Sequence, residues 1–173
     1  AAKATGDGTL AKFTTDHEAA RAKHPLADRY PETFEGGDAA AGESIFRTSF
    51  TAQCIRCHKI GQVGGDVGPN LNGLATRLDN RAMLESLIDP QARIADGYGL
   101  ITFTMNDGKS LTGIIEKKSA GFMSIKHPDG SRSLVKVADI KSQSKLLSSM
   151  PPMTSILSPR DLRDMIAYLK TLK

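Results

Sequence analysis

The sequence predicts a mainly α domain with a small antiparallel β insertion. Three observations carry that expectation. Apolar residues recur at helical spacing in residues 39–49, 81–89 and 159–172. Between Tyr98 and Val137 the period drops from about 3.6 to 2. No strand–helix–strand alternation occurs, so a parallel sheet is not expected.

The elements follow in order. Residues 1–37 read as an N-terminal extension or linker ahead of a domain at 38–173. Within them, residues 16–23 can form two helical turns, stopped by Pro25, and 26–37 read as a loop broken by Pro31 and Gly36-Gly37. Phe13, Tyr30 and Phe34 are expected to pack on the main domain, with an inter-domain linker as the alternative. Asp38 can cap a helix from Ala39 whose face carries Gly42, Ile45, Phe46 and Ser49. Residues 61–70 form an irregular Gly-rich loop that lacks the Gly-Lys-Ser/Thr of a phosphate loop. Asp79 or Asn80 can cap a helix over 81–89, which Pro90 ends. The inserted sheet is expected at about 98–140. Its first strand alternates Ile101, Phe103 and Met105 with threonines, and Asn106-Asp107-Gly108-Lys109 is a hairpin turn. Residues 111–117, 122–127 and 132–137 read as three more strands, four in all. In the last helix Ser158 is the N-cap and Pro159 the first residue. Leu162, Met165, Ile166, Leu169 and Leu172 form one apolar stripe.

The chemistry is concentrated in Cys54-Ile55-Arg56-Cys57-His58, which contains both cysteines of the chain. This spacing is the attachment signature of a c-type haem: the thiols add across the vinyl groups and the histidine becomes the proximal iron ligand. A disulfide across two residues would be strained. A thioredoxin-like pair needs a βαβ setting. A structural zinc site needs about four ligands, and His17, His24 and His127 stand singly. One covalently attached haem c is therefore expected. That chemistry places the chain in the periplasm or another extracytoplasmic compartment. The opening Ala1-Ala2-Lys3-Ala4-Thr5-Gly6 lacks a signal peptide's apolar run, so a leader is expected to have been removed, or the chain to be part of a longer protein.

Composition narrows the classes. An apolar content of 39% supports only a modest core, which a haem would enlarge. No run of about 18 apolar residues exists to span a membrane. The formal charge of +4 fits a solvated surface, or a cationic face for an acidic redox partner. No basic run interleaved with aromatics suggests nucleic-acid binding.

A sixth iron ligand must be sought elsewhere. Met83 and Met165 lie on helical faces and Met105 and Met123 on strands, so all four read as core. Met150 and Met153 flank Pro151-Pro152 in an irregular segment. At these positions the chain resembles the class I cytochrome c family. The shared features are Gly42-x-x-x-Phe46, the Cys54–His58 motif, Gly68-Pro69-Asn70-Leu71, Met150-Pro151-Pro152 and a terminal helix with Tyr168. The resemblance implies that Gly42 meets Tyr168 or Leu169 where the first and last helices cross. It also implies that the Pro69 carbonyl accepts from His58 Nδ1–H, and that Met150 is the axial ligand opposite His58, with Met153 the alternative. Phe46 lies farther from the motif than is usual, so either Phe46 or Phe50 could pack on the haem.

Over residues 40–172 the chain is also similar to a haem-binding domain family of planctomycete-type bacteria. The motifs behind this are Leu84-Glu85-Ser86-Leu87-Ile88-Asp89-Pro90, Gly97-Tyr98, Asp107-Gly108 and Ser148-Ser149-Met150-Pro151. The resemblances imply a monohaem electron carrier, not an enzyme, expected as a monomer. Its partner would be a redox protein or a fused dehydrogenase-like domain. Arg56 is a candidate propionate partner, though a solvated surface arginine is the favoured reading. The alternative is a haem enzyme or gas sensor with a displaceable sixth ligand, for which His127 is the candidate distal group, although a turn-flanking surface histidine is the favoured reading of that residue. The insertion reads as a packing element or as a docking module.

Overall fold

A computed structural model describes residues 8–23 and 25–173. The opening stretch Ala1–Gly6 and His24 lie outside the described residues. The chain gathers into two compact units, neither contiguous in sequence. One comprises residues up to 53, 73–89 and 153–173; the other comprises 54–72 and 90–152.

The first unit is helical. Helix α1 (Gly8–Arg21) begins well before the expected residue 16, and its residues are largely exposed. Phe13 is 67% exposed, against the expectation that it packs on the domain; Tyr30 and Phe34 are half-buried. Residues 26–37 are not a plain loop, because 3-10 turns occupy Leu26–Arg29 and Pro31–Thr33. The first packs on α5 (Asn80–Ile88) and the second on α6 (Pro159–Leu169). Asp28 also pairs with Arg81 at the start of α5.

Helix α2 (Ala39–Thr48) starts where Asp38 accepts from the Ala40 and Ala41 amides. Its principal partner is α6. The two backbones touch at Gly42, where an added Cβ would strike the Asp164 carbonyl and lie 2.8 Å from Tyr168 Cβ. Only glycine allows that approach. One turn on, Phe46 is 2% exposed and its ring lies 5.8 Å from that of Tyr168. Such a pair contributes about 0.5–1.5 kcal/mol beyond burial. The Asp38 amide donates to Asp164 Oδ1 at 2.9 Å, so the buried Asp164 carboxylate ties the start of α2 to α6. Ser158 and Asp161 form a reciprocal capping box that opens α6.

The second unit holds α3 (Cys54–Cys57), a two-stranded hairpin of β1 (Lys59–Ile60) and β2 (Val63–Gly64), and a six-stranded antiparallel sheet. The short helix α4 (Leu74–Arg77) belongs to the first unit. The sheet contains β3 (Gly99–Met105), β4 (Ser110–Ser119), β5 (Phe122–Lys126), β6 (Arg132–Lys136), β7 (Ile140–Gln143) and β8 (Leu147–Ser148). The order is β6-β5-β4-β3-β7, with β8 also on β3. One face buries Ile101, Phe103, Met123, Ile125 and Val135.

The expected mainly α, cytochrome c-like domain with a small β insertion is therefore corrected. The structure is 38% helical and 23% strand, and the sheet has six strands where four were expected. The physical reason lies in β3. Its second edge carries backbone groups that need partners once Phe103 is fully buried. The short polar β7 and β8 supply them: Phe103 pairs with Gln143 and Gly99 with Ser148. The Gln91 side-chain amide clamps β8 by bonding Ser148 N and O at 3.1 and 3.2 Å.

Two outcomes follow. Gly42→Val should cost roughly 3 kcal/mol or more in urea unfolding, since backbone blocks relief of the clash. Ser158→Ala should cost about 1 kcal/mol through loss of the cap.

Candidate haem site

Residues 54–58 make one tight helical turn, and the His58 amide donates to the Cys54 carbonyl at 2.9 Å. Both thiols are free. Cys54 is half-buried and Cys57 exposed. Burial pushes the Cys54 thiol upward, its own backbone opposes this, and nearby Cys57 adds to it.

The Gly-rich loop then folds back over the turn. The Gly65 amide donates to Ile55 O at 3.0 Å, Gly68 to Cys57 O at 2.7 Å and Leu71 to Lys59 O at 2.9 Å. Three glycines permit this wrap: a Cβ on Gly64 would strike the His58 carbonyl. A Cβ on Gly65 would strike the Arg56 carbonyl. One on Gly68 would lie 2.7 Å from His58 Cε1, so the loop backbone rests against the imidazole. Residues 59–64 form the β1–β2 hairpin, although 61–64 read as irregular from sequence.

The loop ends by presenting the Pro69 carbonyl 2.8 Å from His58 Nδ1. A carbonyl only accepts, so Nδ1 carries the proton and donates. Nε2 is left with its lone pair, the state needed for a metal ligand. Burial lowers the His58 pKa from its ordinary value, opposed by the bond to Pro69. Two thiols and an oriented imidazole on one turn, with a glycine face against the ring, fit a c-type haem.

The other expected residues fall as follows. Cys54, Cys57, His58 and Pro69 are brought together by the loop. Met150 lies in the same unit after β8, half-buried, with its amide on Ser148 Oγ at 3.2 Å. The hydrogen bonds that bind the loop to the motif do not reach it. Met153 lies in the helical unit and is 3% exposed. Met83, Met123 and Met165 are likewise buried, and Met105 packs on the sheet core. Phe46 is committed to Tyr168, whereas Phe50 is 92% exposed. Arg56 is exposed. His127 is held at both nitrogens, by Thr112 O at 2.9 Å and Ser133 Oγ at 2.7 Å. Sequence reading missed Gly65 and Gly68 as cradle residues. Their spacing after the motif was visible, but the close approach that requires them was not.

Motif, loop and oriented histidine define a haem-binding electron-transfer domain of the cytochrome c class. The family model described as cytochrome c oxidase, cbb3-type, subunit III matches residues 37–169. The chain belongs to that family. No curated relative matches the chain. Among the described residues, no helix is long and apolar enough to cross a membrane.

The role of the glycine face is open to measurement without haem. Gly68→Ala should push the His58 ring from its carbonyl, cost roughly 1–3 kcal/mol, and speed solvent exchange of the Nδ1 proton in nitrogen-edited NMR.

Proposed function

We propose that the chain is a monohaem c-type cytochrome that carries single electrons in an extracytoplasmic compartment. In this reading Cys54 and Cys57 would hold one haem c by thioether bonds, and His58 and Met150 would bind its iron. The observation that carries it is the His58–Pro69 bond beside the two thiols, which leaves Nε2 as donor to iron. When bound, the haem supplies a reversible one-electron centre.

The chain's own residues set the terms of that chemistry. The Pro69 carbonyl fixes the ring plane and makes His58 a stronger donor, which favours the oxidised state. The glycine face at 68 excludes water from one side of the imidazole. Burial supports Met150 over Met153: Met153 lies in the helical core, and Met150 is the one methionine not committed to a core. A Met150 thioether on the iron would leave no site for substrate, so electron transfer is favoured over catalysis or gas sensing. His127 gives the enzyme reading no support, since both its nitrogens are engaged within the sheet. The motif order from Leu84 to Met150 supports placement in the haem-binding domain family of planctomycete-type bacteria. A redox protein or fused dehydrogenase-like domain is the partner in this reading, and the chain acts as a monomer.

The test is the absorption spectrum of haem-matured protein, oxidised and reduced, with and without carbon monoxide. Wild type should be low-spin with a sulfur-to-iron charge-transfer band and should resist carbon monoxide. Met150→Ala should lose the band and bind carbon monoxide. Met153→Ala should keep the band but lose about 2–5 kcal/mol of stability as a core truncation. A high-spin wild type that binds carbon monoxide readily would refute Met150 as ligand.

A further inference from the structure

The buried face of the sheet is explained by its core; the opposite face of β4–β6 is not. Side chains alternate along a strand. With Met123, Ile125 and Val135 inward, Phe122 and Lys126 on β5 and Arg132, Leu134 and Lys136 on β6 face outward. A bulge between Ile115 and Lys117 shifts the β4 register, so that Lys117 pairs with Ser124 and joins this face. The outward surface thus carries four cations. It surrounds Leu134, which is 72% exposed, and Phe122, which is 37% exposed.

Lys126 and Arg132 stand directly opposite one another, an arrangement that disfavours the sheet. Glu116 offsets part of this by bonding Arg132 at 2.8 and 2.9 Å. Glu116 on the strand and Asp66 beside Arg132 offset two of the four cations, which still leaves a positive surplus around an apolar centre. The haem-binding loop is within electrostatic reach of this face: Asp66, three residues before Pro69, helps Glu116 hold the Arg132 proton.

We propose that the outward face of β4–β6 docks an acidic redox-partner protein, its carboxylates meeting Lys117, Lys126, Arg132 and Lys136 and an apolar contact seating Leu134. This rests on the electron-transfer reading above. A protein surface is favoured over a lipid surface because it can match the anions Glu116 and Asp66 among the cations, and uniform anionic headgroups cannot. β6 is an edge strand, and charge on an edge can serve only to block stray pairing. Charge reversal separates the two roles, since a glutamate blocks an edge as a lysine does but repels an acidic partner.

The experiment uses the full haem-loaded chain, reduced, and a plastocyanin-type copper protein with an acidic face as probe. One electron leaves the haem iron, which is oxidised, and reduces copper(II) to copper(I). Stopped-flow rates are read at low and high salt. K126E/K136E should slow oxidation about tenfold at low salt, with the difference closing at high salt. L134S should slow it at both salts. K170E/K173E, on the helical unit, should match wild type. All variants should keep the wild-type spectrum. Unchanged rates in K126E/K136E, or a loss found in K170E/K173E instead, would overturn the proposal. So would flotation of wild type with phosphatidylglycerol vesicles, abolished in K126E/K136E while its oxidation rate is unmoved. Absence of a c-type spectrum in wild type would overturn the electron-transfer reading as well; a normal spectrum with unaltered rates overturns this proposal alone.

Discussion

The geometry of the site depends on one constraint: a loop backbone must lie directly on the turn that contains Cys54, Cys57 and His58. Three amide–carbonyl bonds, from Gly65, Gly68 and Leu71, achieve it. Each would be lost if side chains separated the two backbones, which is why glycine stands at 65 and 68. From that contact follow the position of the Pro69 carbonyl, the tautomer of His58 and the direction of its free lone pair. The histidine is oriented by backbone alone, so the ring orientation costs no further ionisable group.

The helical unit solves a similar problem by similar means. At Gly42 two helices meet backbone to backbone, and the buried Asp164 satisfies the Asp38 amide at the open end of α2. An unpaired carboxylate at that depth would be costly; here Asp38 N–H meets one oxygen, with Arg163 3.6 Å from the same atom. Tight apposition and a buried polar tie therefore occur together, because close packing leaves no room for water to satisfy the helix end.

Legibility in the sequence follows how local the physics is. The starts of α2, α5 and α6 could be read because Asp38, Asp79 and Ser158 act on amides two or three residues away. The haem motif and its pairing with Pro69 could be read from spacing and resemblance. β7 and β8 could not: Ile140–Gln143 is short and mostly polar, and becomes a strand only because β3 offers an open edge about forty residues away. The early start of α1 was hidden by a stretch with neither an apolar stripe nor an acidic first turn. The difference in burial between Met150, half-buried, and Met153, 3% exposed, was not legible either, since both flank the same two prolines.

The path of the chain between its two units carries a consequence for how the protein forms. The backbone passes from one to the other at residues 53/54, 72/73, 89/90 and 152/153. The sheet core forms from consecutive hairpins, but the helical core is not complete until distant segments have met: α2 waits for α6, more than a hundred residues later. Contacts of such high sequence separation must bear loop-closure entropy before they yield any gain, so folding is slow for a chain of this size. The segment bearing both cysteines lies between two of those passages. A nascent chain therefore presents its thiols while unfolded, and covalent capture there would shorten the conformational search that remains.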